Sequence, residues 1–216
     1  DLSPERPFRR DVAVPAGTLA TELRAVLVAA DGSELISYQP RNAAAPAALP
    51  APVQAPPRPQ EITSVEELYL TGLRVEQICN PTVDPVDYYE EALRRDPGDS
   101  RALTALGLYH NRRGMFDRAE ELLRRALARV TAGYTRPRDG EAHYQLGLAL
   151  RGQDRRDEAY DQFYRAAWDQ AWRAAAFQQL AELSCQQGAL ERALAEREQA
   201  LAVNALSTRA LGTKAM

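Results

Sequence analysis

Cysteine, lysine and histidine are all scarce in this chain of 216 residues, and each scarcity removes a class of function. The two cysteines, Cys79 and Cys185, lie far apart, each inside a helical pattern. A disulfide framework or a zinc site needs closer or more numerous ligands, so both read as buried or half-buried free thiols. The two histidines, His110 and His143, fall at core-facing helical positions, where packing is the expectation and catalysis is not. The chain has no Gly-rich phosphate loop, no His-Glu-x-x-His and no Gly-x-Ser-x-Gly elbow, so neither an enzyme site, a cofactor nor a metal is expected. No apolar run approaches the roughly 20 residues that span a bilayer, and no charged-then-apolar leader opens the chain, so no membrane partner is expected. A net charge of −3 supplies no basic field and argues against nucleic acid. Lys214 is the single lysine among 27 basic residues, a bias that, with abundant alanine, suggests a GC-rich bacterial genome; a cytoplasmic location is favoured. The start at Asp1 reads as a piece cut from a longer chain.

What is present falls into three segments. Residues 1–39 read as strands, the close of an upstream β-domain: two apolar runs over 23–30 and 33–38 flank Asp31-Gly32, a dipeptide suited to a tight hairpin turn. A third run, 8–14, is extended in character and stopped by Pro15. Both faces of such a segment want cover that three strands cannot give alone. Residues 40–60 carry seven of the fourteen prolines and read as an extended spacer, laid along whatever follows. Pro56-Pro57-Arg58-Pro59 within it has the composition of a ligand for an aromatic-lined groove, but the spacer reading is preferred. Residues 61–216 are helical in pattern. Ser64 and Glu67 form a capping box, and Asp84-Pro85 opens a second helix. Glu66-Glu67, Glu90-Glu91 and Glu120-Glu121 read as solvated faces among arginines.

The helical part repeats itself. Gly107, Gly147 and Ala181 occupy one position of a pattern, Ala119, Ala159 and Ala193 another, and Ala126, Ala166 and Ala200 a third. Small residues at such positions let helix axes approach closely, while larger residues between them fill the gaps. A period near 34 residues marks stacked helical hairpins that bury a continuous core only together. Repeats are counted over 100–130, 140–171 and 174–205, with a divergent one over 64–97 that holds Gly72, Ala92 and Pro97. These residues resemble the tetratricopeptide repeat family. Leu103, Leu106, Gly107, Ala119, Leu123 and Ala126 match its pattern, as do Leu146, Gly147, Ala159, Phe163 and Ala166. Phe177, Leu180, Ala181, Ala193 and Ala200 match it again, but Arg197 stands where an aromatic belongs, so the last helix packs less well or ends the array.

The resemblance implies a mainly α fold, a right-handed solenoid, preceded here by the β-segment and the proline linker. It also implies a concave surface lined by first-helix positions. Those are Tyr69, Leu73 and Glu76, then Arg101, Thr104, Leu108, Asn111 and Arg112. Tyr144, Leu148 and Arg151 follow, and then Gln178, Glu182, Cys185 and Gln186. Six extra residues within 131–140 add a loop whose Tyr134, Arg136 and Arg138 suit an anionic or planar ligand. The expected function is a non-catalytic module that binds a protein, a peptide or another domain of the parent chain. The alternative is the scaffold of a larger bacterial carbohydrate-active or carbohydrate-binding protein, a faint resemblance to chains with an upstream mutarotase-like β-sandwich. Leu201, Val203, Leu206 and Leu211 offer a third route, self-association through the last hairpin.

Overall fold

A computed structural model describes residues 9–41, 54–78, 82–133 and 136–212; Cys79, Tyr134 and most of the proline-rich stretch lie outside them. The chain divides into two compact units, Asp1–Gln54 and Ala55–Met216. In the first, β1 (Ala25–Val28) and β2 (Glu34–Tyr38) form an antiparallel hairpin, with Ala25 opposite Tyr38 and a register shift at Leu27/Val28. The turn forms as its residues dictate. Gly32 takes a left-handed φ of 85°, and Asp31 accepts from the Ser33 N–H at 2.9 Å. Residues 9–14, read as a third strand, form none: no partner strand lies beside them among the described residues. Both faces of the hairpin are exposed, including Leu35, Ile36 and Tyr38.

The second unit consists of consecutive antiparallel helix pairs. These are α1 (Val65–Gln77) with α2 (Pro85–Arg95), α3 (Ser100–Arg112) with α4 (Phe116–Val130), α5 (Glu141–Gly152) with α6 (Arg156–Ala166), and α7 (Gln170–Gln186) with α8 (Leu190–Val203). A short α9 (Thr208–Gly212) follows. Four starts have a side-chain cap: Ser64 Oγ accepts from Glu67 N, Asp84 from Val86 N, Asp99 from Arg101 N and Ala102 N, and Asp169 from Ala171 N. Because Asp169 caps it, α7 begins one turn before residue 174, where the repeat count starts.

The small residues meet the large ones of the same hairpin. A Cβ built on Gly72 would lie 2.7 Å from the Tyr89 ring, on Gly107 2.5 Å from Leu123, and on Gly147 2.6 Å from Phe163. Tyr89, Leu123 and Phe163 are themselves fully buried. Each of these three hairpins is therefore closed by one large side chain seated on one missing methyl. In the last hairpin Ala181 and Arg197 occupy the corresponding positions. Arg197 is buried despite its charge, beside Glu196, which accepts a 2.5 Å bond from Tyr160.

Two side chains depart from their expected surroundings. Glu91, read as solvated, is buried. Arg94 and Arg95 both bond it at 2.7 Å and hold its carboxyl down at about 2. Arg95 also reaches the carbonyls of Pro59, Ile62 and Thr63, and Tyr88 donates to the Pro57 carbonyl at 2.9 Å. The end of the spacer is thereby strapped along α2. Cys185 is exposed, not buried, on the last turns of α7.

Candidate interaction groove

The first helices of the hairpins, α1, α3, α5 and α7, carry the residues expected to line a concave face. The structure brings the first half of them together around one cavity of about 370 Å³. Tyr69, Leu73 and Glu76 from α1 and Arg101, Thr104 and Leu108 from α3 form one side; Pro137, Arg138, Asp139 and Glu141 form the other. The residues before α5 thus wall the cavity, a role that the repeat pattern alone could not place. Pro137 and Asp139 are loop residues outside the repeating positions, whereas Glu141 stands forty residues after Arg101 at the same position of the repeat, so the spacing could have found it.

Most charges of this face are already paired. Arg101 bonds Glu66 at 2.6 Å and Asp99 at 3.2 Å, and its guanidinium sits 4.8 Å over the Tyr69 ring. Arg112 bonds Glu76 at 2.6 Å, and Glu76 also accepts from the Tyr89 hydroxyl at 3.1 Å. Asp139, one residue before the N-cap of α5, accepts from the Glu141 N–H at 3.1 Å. Burial pushes the Glu141 carboxyl above its ordinary range, with Asp139 and Glu76 pushing the same way and Arg112 opposing. Burial likewise raises the Tyr69 and Tyr144 hydroxyls.

The second half of the face is tighter. Asn111 donates to the Gln145 carbonyl at 2.8 Å, tying α3 to α5. Tyr144 packs on Trp172 with ring centroids 4.8 Å apart, and Leu148 is half-buried against the core. Arg151 bonds Gln179 and, at 2.8 Å, Glu182, which Gln178 and Arg209 also bond at 2.9 and 2.7 Å. Gln186 and Cys185 are exposed at its far end.

The loop arginines separate. Arg138 lines the cavity. Arg136 turns away to the α6–α7 corner, donating to the Trp168 carbonyl at 2.7 Å and lying 5.5 Å from its ring. Both histidines have depressed basicity, with burial the main cause; His143 is the more buried and holds Gln162 at 2.8 Å. The described residues contain no group of three or more metal-ligating side chains and no helix long and apolar enough to cross a membrane.

The tetratricopeptide repeat pattern matches residues 88–121, from the middle of α2 into α4. Several solved structures share the fold. A crystal structure of MamA is 23% identical, with 64% of this chain and 77% of that one covered at a TM-score of 0.54. PilF of Pseudomonas aeruginosa is 25% identical over 65% of this chain and 61% of its own, at 0.56. The APC/C hetero-tetramer Cut9–Hcn1 gives 17% identity and 0.61, over 70% of this chain but 29% of that one. With Gly72, Gly107 and Gly147 each seated against the large residue of its own hairpin, the helical unit shares the fold of tetratricopeptide repeat proteins, and its residues 88–121 match that family's pattern.

Proposed function

We propose that the helical unit is a non-catalytic interaction module that receives an extended protein segment along its concave face. The observation that carries this reading is the cavity between α1, α3 and the start of α5. It is concave, it mixes aliphatic floor with convergent polar groups, and it lies on the face that the repeats present. The Cut9–Hcn1 neighbour, described as a hetero-tetramer, supports a protein as the partner. Absence of a catalytic constellation from the sequence agrees with a binding role.

Capture of partners from an extract of the source cells tests the reading. Leu108→Glu and Gln186→Arg should each lose a partner that wild type retains, while Arg118→Ala on α4 should keep it. Thermal melts would show that the variants stay folded. Retention of every partner by both groove variants sinks the proposal.

A second reading has its own observation, the hairpin's exposed Leu35, Ile36 and Tyr38. Two strands with apolar side chains bare on both faces need cover from further β-structure or another domain. In this reading the chain acts as a scaffold within a larger assembly, the carbohydrate-linked protein among the candidates. Limited proteolysis of the parent protein should then leave 25–38 intact, and rapid cleavage there would remove it.

A further inference from the structure

We propose that the cavity between α1, α3 and α5 takes one basic side chain, lysine or arginine, from the bound segment. Glu141 and Asp139 would be its counter-charges, and the Tyr69 ring its apolar wall. This rests on the reading of the groove as a binding face and names the chemistry of its occupant.

Pairing decides the sign. Two of the three guanidiniums near the cavity are committed, Arg101 to Glu66 and Asp99, and Arg112 to Glu76. Glu141 makes no hydrogen bond or ion pair through its carboxylate among the described residues, although it is half-buried and lines the cavity. A carboxylate in that position gives up hydration without compensation, and an incoming cation supplies it. The neighbours that raise its proton affinity, Asp139 and Glu76, outweigh the opposing Arg112, so the local field favours positive charge. The Tyr69 face already carries the Arg101 guanidinium at 4.8 Å, so the ring meets the apolar stem of the guest and its charge is left to Glu141 and Asp139. A cavity of about 370 Å³ accommodates one side chain and excludes a folded element. Partner carboxylates fit less well: they would face Glu141, and among the described residues that line the cavity Arg138 is the one guanidinium without a described ion pair. Arg138, exposed on the wall, opposes a basic guest and moderates its affinity.

Peptides selected from a random display library on the full chain, then measured by fluorescence polarisation, test this. Selected sequences should share Lys or Arg at one position. Replacing that residue by norleucine should weaken binding at least tenfold in wild type and hardly at all in Glu141→Gln. Tyr69→Leu should also weaken binding, and Arg138→Ala should tighten it two- to threefold. Suppose instead that the peptides lose binding in Leu148→Glu, which lies outside the cavity, yet tolerate norleucine and Glu141→Gln within twofold. The basic guest is then overturned and the groove reading stands. Binders that ignore Leu148→Glu and every cavity variant overturn both.

Discussion

At the scale of single residues, the hairpins are organised around missing atoms. Gly147 faces the edge of the Phe163 ring, and an added Cβ would meet it at 2.6 Å. Alanine gains about 1 kcal/mol of helix propensity over glycine, but overpacking a rigid, fully buried ring costs about 1–3 kcal/mol. Gly147→Ala should therefore destabilise the fold by about 1 kcal/mol. Adding Phe163→Leu should recover part of that loss in a double-mutant cycle of urea midpoints. An additive pair would show that the contact does not set the packing.

The same residue scale carries a pH effect. His143 is buried and its basicity is lowered, so it stays neutral in the fold, whereas the unfolded chain takes up a proton near 6.5. The unfolded state then binds more protons, so this share of stability is full above that pH and declines as pH falls below it. His110 acts in the same direction. Urea midpoints should drop between pH 7.5 and 5.5, and His143→Gln should drop less; equal drops would exclude the role. Single positions also show where reading by pattern succeeds and fails. The aligned small residues announced which helices touch, because close approach leaves no alternative to Gly or Ala. Position 197 was visible as an anomaly, but its burial was not, since burial of a charge depends on residues distant in sequence, here Cys185 with its Sγ 3.9 Å from the guanidinium. The turn residues Gly114, Asp154 and Gly188, all at positive φ, sit in register too. Asp154 hid that repeat because it is not glycine.

At the scale of elements, the spacer and α2 act together. Arg95 ties the carbonyls of three residues before α1 to a helix whose own Glu91 holds the guanidinium in place. Arg95→Leu leaves Glu91 with one partner and frees the strap. Hydrogen exchange around 59–64 should accelerate at least tenfold, with α5 unaffected. Unchanged exchange there would mean that Tyr88 and its bond to Pro57 suffice. Composition predicted an extended path for the prolines, but the points of attachment belong to side chains some thirty residues later, which no local pattern reveals. The hairpin was legible from Asp31-Gly32, and residues 9–14 misled because an extended run needs a neighbour before it becomes a strand.

At the scale of the whole molecule, the solenoid and the groove differ in how they are encoded. The solenoid repeats, so three copies of one rule confirm each other. The cavity is made once, at the place where the period is broken. Its far loop, 137–139, contributes no buried side chain, whereas the near wall is fastened into the core through α1 and α3. Chemistry facing a guest can therefore drift on one side while the framework opposite stays constant. An array built this way can acquire a new preference through a handful of surface changes, without renegotiating the packing that keeps it folded.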